Sequence, residues 1–159
     1  MRISCLFLLL ALGAAAHADT LEGRWKLIAA EDVRADGTVA HLPWGEHPVG
    51  SIVAQGGSCY LQIMSSDVPA FSGAKAVDDQ MSDMLTSSYI ACSGPCTYDD
   101  KEGTFSLKVH AAWRPNYVGT DQKRMFHFEN GKLIFGTLPN TIRINSESLT
   151  RRLTLIRVQ

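Results

Sequence analysis

The sequence contains no cluster of basic residues. Its 15 Lys and Arg are balanced by 16 Asp and Glu, the formal net charge is −1, and only 19% of the residues are charged. Proteins that bind nucleic acid or an anionic membrane through charge concentrate cations on one surface. We therefore expect that neither nucleic acid nor an anionic membrane surface is a partner of this protein.

Long hydrophobic runs are also missing. The apolar run from Leu6 to Leu12 is shorter than the roughly 20 residues that a membrane-spanning helix needs. It follows Arg2 and precedes Ala16-His17-Ala18, the small-residue pattern of a signal cleavage site. A buried N-terminal helix is the alternative, but no polar face interrupts the run. We predict that residues 1–18 are a cleaved signal peptide and that one domain covers residues 19–159 of a secreted or periplasmic protein.

Common motifs of catalysis and cofactor binding are absent. There is no Gly-x-Ser-x-Gly elbow, zincin helix, phosphate loop or dinucleotide fingerprint. No His stands at ligand spacing from the pair Cys92 and Cys96, which disfavours a zinc site. The sequence therefore predicts neither a metal ion nor a cofactor.

Cysteines are few, and loss of a signal peptide would remove Cys5 and leave the odd set Cys59, Cys92 and Cys96. Two residues four positions apart in an extended strand lie on the order of 13 Å from each other, beyond the reach of a disulfide. Cys92 and Cys96 can therefore be bridged only if Ser93-Gly94-Pro95 folds back, which Gly-Pro permits. A Cys92–Cys96 bridge, a cross-strand bridge to Cys59, and three buried thiols all remain open.

Short segments with strand character fill most of the chain. They are bounded by hairpin signals at Asp36-Gly37, Gly56-Gly57 and Asn130-Gly131. The segments are Gly23–Glu31, Thr38–Leu42, Val49–Ala54, Cys59–Met64, Tyr89–Tyr98, Thr104–Trp113, Gln122–Phe128, Lys132–Leu138 and Leu149–Val158. Ala76–Ser88 is the single helical candidate, because its apolar residues recur at intervals of three and four.

This pattern predicts an all-β fold, either an antiparallel barrel or a sandwich. Closure into a barrel removes unpaired strand edges, and about eight strands leave room for one small ligand. A barrel therefore predicts an internal cavity with the short helix as a lid at one end.

One polar pair is predicted to point into that cavity. Gln122 and Arg124 share the face of Phe126, which period-two alternation assigns to the interior. A buried Arg needs a partner, and its fork could bind a carboxylate or an enolate oxygen of a guest. The alternatives are an internal ion pair with Glu31 or Asp121, or a face assignment shifted by a bulge.

Other candidates are less specific. Tyr60, Gln62, Tyr89, Trp113 and Tyr117 could form an aromatic cavity wall with polar groups, although each could equally be packing or rim.

His110 is the candidate for proton transfer, because histidine suits that role near neutral pH. It alternates with Ser106 and Lys108, however, which favours a surface position over a place in the cavity.

Two groups of residues resemble a known family. Gly23-Arg24-Trp25 resembles the Gly-x-Trp that opens the first strand of lipocalins, where an Arg from the last strand covers the Trp; Arg157 could supply that contact. The longer pattern runs through Glu31-Asp32, Ala35-Asp36-Gly37-Thr38, Pro48-Val49-Gly50, and Pro115–Gln122 with Arg124. Together they resemble the lipocalin-like domain family from Leu21 to the C-terminus.

This resemblance implies an up-and-down antiparallel barrel of about eight to ten strands with one short helix. It implies binding of a small hydrophobic molecule with an oxygen-rich polar end inside the cavity. It also implies an alternative, an isomerase or cyclase that acts on a polyketide or terpenoid. In that case Arg124 would stabilise an oxyanion while Tyr117 or His110 moves a proton. Neither the residues nor the resemblance decides whether the protein is an enzyme.

Overall fold

The computed structural model describes residues 19–68, 82 and 86–158. The predicted signal peptide, residues 1–18, lies outside them, as does most of the predicted helix at residues 76–88; residues 82 and 86–88 of that segment are helical. No helix within the described residues is long and apolar enough to cross a membrane.

Besides these helical residues, the described structure contains eleven strands and one short 3-10 helix at Pro115–Tyr117. The strands are β1 (Gly23–Val33), β2 (Val39–His41), β3 (Val49–Gln55), β4 (Ser58–Met64), β5 (Tyr89–Asp99), β6 (Thr104–Lys108), β7 (Ala111–Ala112), β8 (Asp121–Glu129), β9 (Lys132–Gly136), β10 (Ile142–Ile144) and β11 (Glu147–Val158).

Eight of these strands close into a barrel. The ring runs β1, β3, β4, β5, β6, β8, β9 and β11, and β11 pairs back with β1. Every pairing is antiparallel, and β2, β7 and β10 are added to β1, β5 and β11 respectively. Closure leaves no free edge in the ring. The predicted all-β antiparallel barrel is confirmed.

Trp25 closes one end of the barrel. Trp25 is 2% exposed, and its Nε1 donates a hydrogen bond of 2.9 Å to the carbonyl oxygen of Leu21. The guanidinium of Arg157 lies 4.3 Å from the centre of the Trp25 ring and donates to the carbonyl oxygens of Glu22 and Thr20. This is the contact that the family resemblance implies. We refer to this end as the closed end and to the opposite end as the open end.

The seam between β1 and β11 contains a register shift between Leu27 and Ala29. Trp25 and Leu27 face the interior before the shift, whereas Ala30 and Asp32 face it afterwards. An inserted residue in an antiparallel pair reverses the faces of all residues that follow. The shift explains why the alternation of β1 looks imperfect in the sequence.

A second change of phase divides the predicted strand Thr104–Trp113. β6 ends at Lys108, and the amide of Val109 then donates to the carbonyl of Thr120, whereas that of His110 donates to the carbonyl of Ser93. β6 pairs with both β5 and β8, whereas after Val109 the chain leaves β8 and pairs with β5 alone, where Ala112 lies across from Cys92 and packs on the core. The prediction that Trp113 shares the inner face of β6 is therefore wrong.

The disulfide joins Cys59 and Cys96, whose Cα atoms are 5.7 Å apart. Of the three arrangements that the sequence left open, the cross-strand bridge to Cys59 is the one present; the possible Cys92–Cys96 bridge does not form, because Ser93-Gly94-Pro95 stays extended and pairs with β4. Cys92 and Cys96 therefore remain four positions apart on one strand, while Cys59 lies across from Gly94 and can reach Cys96 diagonally. Cys92 is a free thiol.

A hydrogen bond from the Tyr98 hydroxyl to the Glu22 carboxylate lies near the closed end. Burial and this carboxylate raise the pKa of Tyr98 from 10.0 to about 12, and the same bond, followed by that from the amide of Gly56, lowers the pKa of Glu22. A pKa raised by folding stabilises the protein below the unfolded-state value, and the contribution is lost as pH rises through the folded-state value.

We therefore expect the Tyr98 contribution to stability to be complete below pH 10.0 and lost by about pH 12. Ultraviolet absorbance should show one late-titrating phenol that is missing in Tyr98→Phe, and urea unfolding should show a smaller alkaline loss of stability in that variant. Titration of all phenols in one ordinary step would contradict the expectation.

Candidate functional site

The barrel encloses a cavity of about 300 Å³. Inward side chains from strands around the ring form its walls, and most are apolar. Examples are Ile52, Leu61, Ile63, Ile90, Leu107 and Leu153. Trp44, Tyr117 and Thr141 also line it, and they come from strand connections at the open end. An apolar cavity with a few polar groups is the usual form of a small-molecule site.

Arg124 and Gln122 line this cavity from β8, as the alternation predicts. Arg124 Nη2 donates to Gln122 Oε1 at 3.0 Å, and Nη1 donates to the carbonyl oxygen of Lys123 at 2.7 Å. Gln122 Nε2 donates in turn to Thr120 Oγ1 at 3.0 Å, and the Thr120 hydroxyl donates to the carbonyl of Tyr117 at 2.7 Å. The hydrogen-bond chain fixes the orientation of the guanidinium.

Neither carboxylate proposed as an internal partner for Arg124 is available. Glu31 accepts from Arg152 at 2.9 Å, and Asp121 lies 3.7 Å from Lys108 Nζ. Within the described ranges, Arg124 takes part in no salt bridge. The two ion pairs considered from the sequence, with Glu31 and with Asp121, are therefore wrong. The guanidinium of Arg124 lines the cavity and has no carboxylate partner among the described residues.

Burial shifts the pKa values of two ionisable groups that line the cavity, Arg124 and Cys92. It lowers the pKa of Arg124, and the positive charge of Arg151 adds to that effect. It raises the pKa of the Cys92 thiol, with an opposing contribution from Arg124. A buried cation without a counter-charge is electrostatically costly, and an anion bound beside it would lower that cost.

A second arginine, Arg151, lines the cavity from β11. Its Nε and Nη2 donate to the two carboxylate oxygens of Asp32, each at 2.8 Å, and Asp32 is 0% exposed. The guanidinium also lies 4.8 Å from the centre of the Trp44 ring. The sequence analysis missed this residue, although extending the inward alternation of Leu155 and Leu153 by one step would have found it.

The remaining predicted site residues divide into two groups. Tyr117 lines the cavity from the 3-10 helix at the open end. Tyr60 borders the cavity but is 56% exposed. Gln62, on the same strand, is exposed. Tyr89 and Trp113 do not line it. The predicted wall is therefore wrong for Gln62, Tyr89 and Trp113, whereas Tyr60 lies at the rim. Cys59, Leu61 and Ile63 occupy the inner face of β4, and the phase change turns Trp113 outward.

His110 is exposed and does not line the cavity, in agreement with the surface position that its alternation favours. Of the three candidates for catalysis, the structure brings together only Arg124 and Tyr117. No group of three or more His, Cys, Asp or Glu within the described part of the chain could hold a metal ion.

The lipocalin-like domain family matches residues 22–158 of the chain. Neither the comparison with curated proteins nor that with solved structures gave a match.

Proposed function

The chain belongs to the lipocalin-like domain family, and from this premise we propose that it binds a small, largely hydrophobic molecule with an oxygen-rich polar end inside the barrel. One observation carries the proposal: the guanidinium of Arg124 faces an apolar cavity and forms no salt bridge within the described residues. A guest that supplied an oxygen anion or dipole there would satisfy it.

The apolar walls would supply most of the affinity, because removing apolar surface from water drives binding to a preformed pocket. Arg124 and Gln122 would fix the polar end. A volume of about 300 Å³ lies at the lower end of the range for ligand pockets, which favours a compact guest. Native mass spectrometry of protein purified from its own host would report a retained guest and its mass.

We expect Arg124→Ala to weaken binding by about 10- to 100-fold, the value of one or two charge-assisted hydrogen bonds. The melting temperature should not fall, because the substitution removes a half-buried cation that has no salt bridge within the described residues. Displacement of the neutral fluorescent probe N-phenyl-1-naphthylamine by decanoate would measure the affinity.

Lys123→Ala is the matched control, since Lys123 is the exposed neighbour of Arg124 on the same strand. It should leave both affinity and melting temperature unchanged. A parallel loss of binding and melting temperature in Arg124→Ala would instead indicate that Arg124 serves an internal network.

Isomerisation or cyclisation of a polyketide or terpenoid is the second candidate. It is favoured by the presence of both Tyr117 and Arg124 in the cavity lining, where a phenol could move a proton while the guanidinium stabilises an oxyanion. Turnover of such a substrate, abolished in both Arg124→Ala and Tyr117→Phe, would support catalysis. Retention of an unchanged guest would leave binding as the function.

A secreted or periplasmic location also belongs to the proposal. The Cys59–Cys96 disulfide supports it, because disulfides persist in oxidising compartments. The intact mass of the exported protein would test whether residues 1–18 are removed.

A further inference from the structure

The two cavity arginines lie in one row across three neighbouring strands. Met125 of β8 pairs with Gly136 of β9, and Gly136 pairs with Arg152 of β11. One step further along each strand, the same register places Arg124 across from Thr137 and Thr137 across from Arg151. Two strand spacings put the Cα atoms of the two arginines about 10 Å apart.

Direct contacts support the second half of this row. The amide of Thr137 donates to the carbonyl of Arg151 at 3.0 Å, and the amide of Arg151 donates to Thr137 Oγ1 at 3.1 Å. Arg124, Thr137 and Arg151 all line the cavity. Their side chains can therefore contact one small group in the cavity, with Thr137 between the two arginines in the row.

The charges along the row do not cancel. Arg151 is neutralised by Asp32, whereas Arg124 forms no salt bridge within the described chain. Arg124, Arg151 and Asp32 together therefore carry a net charge of +1. A guest with one negative charge would balance it, whereas a phosphate monoester, at about −1.5 to −2, would leave an excess.

Arg151 is held in place before any guest enters. Asp32 engages Nε and Nη2 of Arg151, which leaves Nη1 outside that pair, and Trp44 covers the guanidinium. A group fixed by its neighbours loses little conformational freedom on binding. Asp32 and Trp44 thus act as positioning residues for the second cation of the row.

We propose that Arg124, Thr137 and Arg151 form a carboxylate-binding row and that the guest is a hydrophobic monocarboxylate. The inference rests on the proposed function and names the chemical class of its ligand. A planar carboxylate offers two oxygens, which suits two guanidinium forks that approach from different strands. Apolar walls would enclose the rest of the guest.

The test compares three guests of equal chain length on the full chain: decanoate, decanol and decylammonium. Each competes with N-phenyl-1-naphthylamine at neutral pH. Decanoate should bind at least about 10-fold more tightly than decanol, and decylammonium should bind most weakly. The preference for decanoate over decanol should disappear as pH falls through about 4–5, where a carboxylate is protonated.

Arg151→Lys keeps the positive charge but removes the planar fork. The substitution should weaken the binding of decanoate by about 5- to 10-fold and leave the affinity for decanol unchanged. Arg152→Lys is the matched control, because Arg152 is the next residue of β11 and pairs with Glu31. Arg152→Lys should change neither the affinity for decanoate nor that for decanol.

The outcomes separate this inference from the proposed function. Equal displacement by decanoate and decanol would overturn the carboxylate row and leave a general hydrophobic site. Failure of the neutral probe and of every competitor to bind would overturn the proposed function itself. An unchanged Arg151→Lys, with the preference lost in Arg124→Gln, would reduce the site to Arg124 alone. If Arg151→Lys does not fold, the comparison of decanoate with decanol on the unaltered protein still decides the ligand class.

Discussion

Replacing Asp32 with Ala should lower the free energy of unfolding by about 3–5 kcal/mol. Asp32 is 0% exposed and accepts both hydrogen bonds of a bidentate pair with Arg151, its cross-strand neighbour on the seam that closes the barrel. Removal of the carboxylate would leave the guanidinium of Arg151 in the cavity wall without its counter-charge. Urea denaturation should show a lower midpoint with an unchanged slope.

An exposed ion pair provides the control. Arg34 Nε lies 2.6 Å from Glu147 Oε1, but the two side chains are 42% and 38% exposed. Glu147→Ala should therefore lower the free energy of unfolding by less than about 1 kcal/mol. The double change Asp32→Leu with Arg151→Met should recover much of the stability, since well-packed apolar groups can replace a buried ion pair. A loss of 1 kcal/mol or less (about the exposed-pair cost) in Asp32→Ala would show that water reaches Arg151 readily.

Loss of the Cys59–Cys96 disulfide should lower the free energy of unfolding by about 4 kcal/mol, because the bridge closes a loop with a sequence separation of 37. The bridge restricts the unfolded chain, so the effect should appear both in the double variant Cys59→Ala with Cys96→Ala and in the unaltered protein under reducing conditions. Thermal unfolding with and without dithiothreitol would measure it.

Cys92→Ala is the matched control for this prediction. Cys92 lies on the same strand as Cys96 and is unbridged, so its replacement should cost about 1 kcal/mol or less. Reductant should have no further effect on the double variant. A peptide map that joins Cys92 to Cys96, or a melting temperature insensitive to reductant, would contradict the observed pairing.

Much of the fold follows from local sequence signals. Period-two alternation located β4, β8 and the C-terminal half of β11, and the Asn130-Gly131 turn marked the hairpin between β8 and β9. These signals are local because successive side chains of a strand point to opposite faces. Period-two alternation also places Arg124 and Gln122 on the interior face of β8.

Period-two alternation failed where a strand changed phase. The shift near Leu27 and the loss of β8 as a partner after Val109 each reverse the faces that follow. At the second site, a Cβ on Gly94 would lie 2.0 Å from the carbonyl oxygen of Lys108, so the close approach of two backbones depends on this glycine. Trp113 was assigned to the wrong face for that reason.

By itself the sequence determined an antiparallel β protein and an inward guanidinium at Arg124, because each depends on strand period. The resemblance of Gly23-Arg24-Trp25 to lipocalins implied the Trp and Arg pair at one end. Only the tertiary structure decided the disulfide partner, the phase of Trp113 and the meeting of Asp32 with Arg151. Asp32 and Arg151 are 119 residues apart in the chain and become neighbours only when β11 closes on β1. Such contacts depend on strand register across the seam, which no local pattern specifies.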